Sequence, residues 1–142
     1  MDHIKISVVF ENDDQIITEA LWATKIGDYF KIDNIPFYVP NIAYNDIISA
    51  TEKDGEFYFD KLIKASGHSV IQLVFFEGDQ IEKVVGRLIK LGCEWEQLES
   101  FPIITLDIPP EVNYPPIKIY LDKCQEKGIL DYKEACLGFK TT

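Results

Sequence analysis

The sequence predicts an α+β fold in which a small SH3-like β-barrel packs on a ferredoxin-like βαββαβ half. Before about residue 78, the chain shows almost only the two-residue periodicity of strands, and helical periodicity follows later. From Ser69 onward, the elements follow the order β-α-β-β-α-β. In that half the first and third strands are apolar, and the second and fourth carry charges, as central and edge strands do. We therefore place the barrel in residues 1–68 and the ferredoxin-like half in residues 69–142.

The barrel half is predicted to contain about five short strands. In the first, Ile4, Ile6 and Val8 alternate with polar residues, which gives the strand one apolar face. Prolines interrupt the chain between the third and fourth strands, because proline has no N–H group to donate. Asp54-Gly55 between the last two strands is a strong hairpin signal. The strand patterns cover residues 4–10, 16–26, 29–32, 46–52 and 56–65.

The second half is predicted to contain two amphipathic helices and four strands. The first helix covers residues 79–91, where Asp79 is a suitable N-cap and Glu82 follows at the spacing of a capping box. The second helix begins after Asn113 and has two prolines in its first turn, where the missing N–H groups are tolerated. The strand patterns cover residues 69–76, 93–100, 101–108 and 131–137.

The composition favours a cytoplasmic protein without a membrane span or a disulfide framework. No apolar run approaches the roughly 20 residues that cross a bilayer, and the N-terminus lacks the pattern of a signal peptide. The cysteines, Cys93, Cys124 and Cys136, are odd in number and form no CxxC pair. We therefore expect three free thiols that serve as small apolar side chains.

The net charge of −10 disfavours a nucleic acid or an anionic membrane as partner, because lysines and arginines drive binding to phosphates. A basic protein, such as a basic toxin, would be attracted to an acidic surface, although the same charge also serves plain solubility. We expect a monomer or a weak dimer. His3 and His68 are far apart and lie in no metal-binding pattern, and no glycine-rich phosphate loop is present. No metal or cofactor is therefore predicted.

The stretch Lys64-Ala65-Ser66-Gly67-His68-Ser69 allows either a catalytic loop or a bend between strands. A hydrolase would use a serine as nucleophile and His68 as base, together with a carboxylate that orients the imidazole. The stretch lacks the GxSxG elbow, however, and follows a strand pattern rather than entering a helix. We predict a bend in which Gly67 adopts a bulge conformation and the serines bind backbone groups. His68 is then expected to pack or to form hydrogen bonds locally.

A possible recognition cluster follows from the polar and aromatic residues near the predicted boundary. A cleft between the two halves would be lined by Asp33, Asn34, Ser66 and His68. Tryptophans in strands most often contribute to the core, which is the interpretation favoured for Trp22 and Trp95, but an exposed tryptophan would be an anchor for a partner. The predicted cluster consists of Trp22, Asp33, Asn34, Ser66 and His68.

Three segments carry a resemblance to a known family: LWA at residues 21–23, YFKIDNIPFYVPNIAYNDII at residues 29–48 and KASGHS at residues 64–69. They resemble the bacterial family of domain of unknown function 4265, and the resemblance covers essentially the whole chain. DNIPFY and SGHS are its most specific parts. This sequence departs from the family pattern at Ala65 and Gln72, where basic residues are frequent. Those changes argue against a shared anion site.

The resemblance implies no established activity. Some members of the family look like neighbours of secreted-toxin genes, which would make them immunity proteins. An acidic chain without a catalytic constellation fits that role, so we predict a non-enzymatic binding protein that occludes a toxin. Two alternatives stay open. One is an enzyme or small-ligand binder that uses the cleft near SGHS, and the other is a structural or regulatory interaction module.

Overall fold

The computed structural model describes residues 3–97 and 103–138 as an α+β fold with two sheets and two helices. The end of the strand predicted over residues 93–100 and the start of the next lie outside the described residues. The elements are β1 (His3–Asn12), β2 (Gln15–Ile26), β3 (Tyr29–Ile32), β4 (Ile47–Lys53), β5 (Glu56–Lys64), β6 (Ser69–Phe75), α1 (Ile81–Lys90), β7 (Glu94–Gln97), β8 (Ile103–Ile108), α2 (Tyr114–Glu126) and β9 (Leu130–Cys136).

The first five strands form a closed barrel in the order β1-β2-β3-β4-β5. Neighbouring strands are antiparallel, and a short parallel pairing of β1 with β5 closes the ring. Lys53 is paired with Glu56, which confirms the predicted Asp54-Gly55 hairpin. The interior of the barrel holds nine buried side chains: Ile6, Val8, Leu21, Ala23, Phe30, Ile32, Val39, Ile42 and Ile48.

The other four strands form an antiparallel sheet in the order β7-β8-β6-β9. The apolar strands β6 and β8 are central, and the charged strands β7 and β9 are at the edges, as their sequences predict. Both helices pack on one face of this sheet, where Val84 and Leu88 of α1 and Ile117 and Leu121 of α2 are buried with apolar side chains of the strands. The charged side chains of β7 and β9 therefore lie at the edges of the sheet.

Both helices form, but their capping differs from the prediction. Asp79 lies in a 3₁₀ turn, Gly78–Gln80, so α1 begins two residues later than predicted and Gln80 precedes it without a side-chain cap. Burial of the apolar stripe of α1, rather than a capping hydrogen bond, therefore accounts for the stability of this helix. Asn113 does precede α2, but its side chain makes no capping hydrogen bond either. Prolines at the start of α2 confirm that part of the prediction.

The core interpretation of the two tryptophans was wrong. Trp22 is 44% exposed and Trp95 is 37% exposed. In β2 the buried face carries Leu21 and Ala23, so the two-residue alternation of the strand puts Trp22 on the outer face. Trp95 lies in β7, at the edge of the second sheet. Both indoles are therefore available to a partner.

Residues 33–46, here called the linking segment, connect β3 to β4 and cover the second face of the four-stranded sheet. Ile35 and Ala43 of this segment are buried with Val70 and Ala135 of the sheet. Two hydrogen bonds join the same surfaces: Thr105 Oγ1 donates to the Pro36 carbonyl at 2.7 Å, and the Asn41 N–H donates to the Ala135 carbonyl at 2.9 Å. The segment thus joins the barrel to the sheet.

The linking segment has no strand or helix of its own, so side chains satisfy many of its backbone groups. The Glu19 carboxylate accepts the N–H groups of Phe37, Tyr38 and Val39 at 2.7 to 2.9 Å. The Asp46 carboxylate, only 2% exposed, accepts the N–H of Ala43 at 2.9 Å and that of Ser66 at 2.8 Å. Asp46 therefore connects the linking segment to the SGHS stretch.

We expect Asp46→Ala to lower the free energy of unfolding by about 3 kcal/mol, because the buried N–H of Ala43 and the half-buried N–H of Ser66 lose their carboxylate acceptor. Urea unfolding followed by tryptophan fluorescence measures the change. Asp28→Ala, which removes an exposed carboxylate in the turn between β2 and β3, is the matched control and should change stability by less than about 0.5 kcal/mol. Equal effects of the two variants would contradict the role given to Asp46.

Candidate functional site

The SGHS stretch is a bend between β5 and β6, as predicted. Ser66 Oγ donates to the Tyr44 carbonyl at 2.7 Å and accepts the backbone N–H of His68 at 3.2 Å. Ser69 Oγ accepts the Gly138 N–H at 2.9 Å. Both serines therefore bind backbone groups, and the His68 imidazole forms no hydrogen bond to a hydroxyl or thiol among residues 3–97 and 103–138.

Two glycines permit the close backbone packing of this bend. Gly67 has a φ of 91°, a left-handed conformation in which a side chain would be strained. A Cβ at Gly138 would lie 2.3 Å from the carbonyl oxygen of His68, closer than any side chain tolerates. The bend is therefore fixed by backbone sterics as well as by the serines.

The imidazole of His68 is paired with a buried acid 39 positions away, a partner that the prediction of local packing or hydrogen bonding did not include. Its Nδ1 lies 2.8 Å from Oδ1 of Asp107 on β8, and Asp107 is 1% exposed. The Tyr44 ring contacts the imidazole edge-on, with 5.3 Å between ring centroids. Asp107 is the only acid in the apolar segment of residues 103–108. A carboxylate in such a central strand needs a partner, and that signal could have pointed to His68.

The environment of Asp107 disfavours its ionised form. Burial raises the pKa of Asp107 above its ordinary value, and the hydrogen bond and charge of His68 oppose that rise, while Glu94 and Glu111 add to it. Burial is the larger effect. The pair thus holds the imidazole in a fixed orientation and places an acid of raised pKa inside the sheet.

The cysteines are free, as predicted, and two of them are held as thiols. Burial, assisted by Asp107, raises the pKa of Cys93 to about 12. Burial, assisted by Asp46, raises the pKa of Cys136 to about 11. A nucleophilic cysteine needs the opposite shift, so neither thiol is activated for attack.

A cleft of about 520 Å³ lies between the linking segment, α1 and β7, and is called the acidic cleft below. Its walls combine three carboxylates with apolar side chains, and in the part of the chain that the structure describes no lysine or arginine lines it. Partial burial raises the pKa of Glu96, one of these carboxylates. The lining residues are Asp33, Asn34, Ile35, Tyr44, Ile89, Cys93, Glu94, Trp95 and Glu96.

The predicted recognition residues fall into two groups. Asp33 and Asn34 line the acidic cleft, and Trp22 is beside them, because its backbone N–H donates to Asn34 Oδ1 at 2.7 Å. His3 forms a hydrogen bond to Asp33 and stacks on Trp22 with ring centroids 5.9 Å apart.

The other group, Ser66 and His68, lines a separate cleft of about 420 Å³. The role of all five residues in recognition stays a prediction. No local pattern predicted that Asp33 shares a cleft with Glu94, Trp95 and Glu96, because the two segments are more than fifty positions apart.

Residues 3–97 and 103–138 contain neither a cluster of metal-binding side chains nor a membrane-spanning helix. No three histidine, cysteine or acidic residues gather there as a metal ion requires. No helix in those residues is long and apolar enough to cross a bilayer.

We expect the wild-type protein to lose stability relative to Asp107→Asn as the pH rises from about 4 through the raised pKa of Asp107. A pKa raised by folding favours the folded state while the group is protonated, and this contribution disappears as the group ionises. Urea unfolding of both proteins at a series of pH values measures the difference. His68→Ala should move the loss to higher pH, because His68 lowers the pKa of Asp107. A difference that grows in favour of the wild type with rising pH would contradict this.

Known proteins share these segments and this architecture. The family model described as domain of unknown function (DUF4265) matches residues 19–132, which include the linking segment, the SGHS stretch and Asp107. A crystal structure described as that of a hypothetical protein from Neisseria gonorrhoeae is similar to this chain, with 30% identity, a TM-score of 0.87 and 99% of each chain covered. No curated protein matches. The chain therefore belongs to the family of domain of unknown function 4265.

Proposed function

We propose that this chain is a non-enzymatic binding protein that recognises a basic protein partner through the acidic cleft. One observation carries the proposal: Asp33, Glu94 and Glu96 line the same cleft as Trp95, and no lysine or arginine among residues 3–97 and 103–138 lines it. Carboxylates that line one cleft together with an aromatic residue can bind a lysine or arginine side chain.

The chemistry of the cleft matches both parts of a basic side chain. Ile89 and Trp95 are exposed apolar side chains that can cover the aliphatic stem of a lysine or an arginine. The carboxylates then accept hydrogen bonds from the charged head group. In this proposal Trp95 is the anchor that the partner covers, because aromatic residues contribute strongly at the centre of interfaces.

The charge of the whole chain supports the same kind of partner. A net charge of −10 attracts a basic protein over distance and accelerates the encounter, and salt screens that effect. The biological form that we propose is an immunity protein, located in the cytoplasm as a monomer or weak dimer, which covers the basic surface of a toxin.

We also propose a finer description of the fold. The strand order β7-β8-β6-β9, with one helix after β6 and one after β8, corresponds to a ferredoxin-like arrangement. The small five-stranded barrel before it is of SH3-like size. In this description the acidic cleft is formed where the linking segment of the barrel half approaches α1 and β7 of the ferredoxin-like half.

The test uses the purified product of the gene next to this one in its genome, titrated by calorimetry. We expect Asp33→Asn/Glu94→Gln/Glu96→Gln to weaken the complex at least about tenfold, because desolvated charge pairs at an interface are costly to break. The matched control, Glu11→Gln/Asp13→Asn/Asp14→Asn, removes the same charge at the turn between β1 and β2 and should reduce affinity much less.

Two results would contradict the proposal. The first is no complex with that gene product at micromolar concentration, and the second is an equal loss in the cleft variant and the control variant. An equal loss would indicate that net charge alone, and not the cleft, attracts the partner.

A further inference from the structure

A second cleft, of about 420 Å³, has the opposite charge to the rest of the chain and is called the basic cleft below. Two lysines and a histidine line it together with an amide and a hydroxyl, and no carboxylate lines it within residues 3–97 and 103–138. This is unexpected for a chain with 24 acidic and 14 basic residues. The lining residues are Ile26, Lys31, Asn45, Ile47, Lys64, Ala65, Ser66 and His68.

The register of the barrel sets the positions of the two lysines. Lys31 of β3 is paired with Ile47 of β4, and Ile47 is paired with Lys64 of β5. Paired residues project from the same face of a sheet, so both ammonium groups flank Ile47, with backbones about 10 Å apart. A register shift between Ile47 and Ile48 marks a bulge beside this row, and bulges often adjust side chains at functional sites.

Neither lysine is neutralised by a partner within residues 3–97 and 103–138. The ion pairs found there involve His3, His68 and Lys118, and the ammonium groups of Lys25 and Lys5 lie over aromatic rings. Two like charges on one face therefore remain uncompensated, and an anion between them would relieve their repulsion.

His68 and Ser66 complete the wall at the end of β5. Asp107 binds Nδ1 of the imidazole, which leaves Nε2 without a protein partner among residues 3–97 and 103–138. A histidine held in this way by a carboxylate presents its second nitrogen in a defined direction. The cleft therefore offers two ammonium groups, an imidazole and the amide of Asn45 to one ligand.

We propose that the basic cleft binds a small oxyanion, namely the phosphate or carboxylate group of a small molecule. Lys31 and Lys64 supply the charge, and His68, positioned by Asp107, supplies a directional contact. The sequence departs from the family pattern at Ala65 and Gln72. These positions do not remove the site, because its charge comes from Lys31 and Lys64.

Inorganic phosphate and acetate are the probes, and each is titrated into the ¹⁵N-labelled wild-type chain at constant ionic strength. We expect saturable amide shifts confined to the residues that line the cleft, with a dissociation constant for phosphate on the order of 1 mM. Phosphate should bind more tightly than acetate if a phosphate group is the natural ligand, and acetate should bind at least as tightly if it is a carboxylate. Shifts that do not saturate, or that spread over all surface lysines, would overturn the proposal.

Variants assign any binding to the cleft. Lys31→Gln/Lys64→Gln should weaken phosphate binding about tenfold, because two charge pairs are lost. The control, Lys53→Gln/Lys90→Gln, removes the same charge elsewhere and should leave the dissociation constant nearly unchanged. Equal effects would overturn the proposal. If the double variant fails to fold, Lys31→Gln and Lys64→Gln are compared singly with the two single control variants.

A further comparison separates this inference from the proposed function. Asp33→Asn/Glu94→Gln/Glu96→Gln leaves every lining residue of the basic cleft in place, so phosphate affinity should be retained in it. Loss of protein binding together with retained phosphate binding is the result that both inferences predict for this variant. Absence of saturable binding of both phosphate and acetate refutes the basic cleft alone.

Discussion

The buried carboxylate of Asp46 is the interaction on which the rest of the structure depends. It accepts N–H groups from Ala43 and from Ser66, and so joins the linking segment to the SGHS stretch. A loop that covers a sheet carries backbone groups that water cannot reach, and each needs a partner. Glu19 and Asp46 accept four N–H groups of this segment, and Asp46 accepts a fifth, from Ser66. The linking segment and the SGHS stretch therefore have a structural role.

The position of the linking segment also explains the chemistry at the junction. Residues that alternate on β8 point to opposite faces, so Thr105 and Asp107 face this segment while Ile104 and Leu106 face the helices. Asp107 then needs His68, and Tyr44 packs on the imidazole. Tyr44 lines the acidic cleft and His68 lines the basic cleft. Two clefts of opposite charge are thus adjacent, and the Tyr44–His68 contact connects their walls.

Local patterns predicted the elements well, and long-range partners were missed. The alternation in β1 and the Asp54-Gly55 hairpin are local signals. The apolar sequences of β6 and β8 likewise predicted that these strands are central. The pairing of His68 with Asp107 joins positions 39 residues apart, and no local pattern encodes it. The exposure of Trp22 was missed because alternation does not tell which face of a strand is buried. The acidic cleft was only half predicted, because Asp33 and Glu94 come from distant segments.

Glu19 and Asp46 hold the linking segment as a rigid part of the fold. Native-state hydrogen exchange of the N–H groups that these carboxylates accept measures directly how firmly it is held. We expect the N–H groups of Val39, Ala43 and Ser66 to exchange as slowly as those in β6, because each donates to a carboxylate held in the fold. Exchange as fast as that of the exposed turn at Asp54 would contradict it.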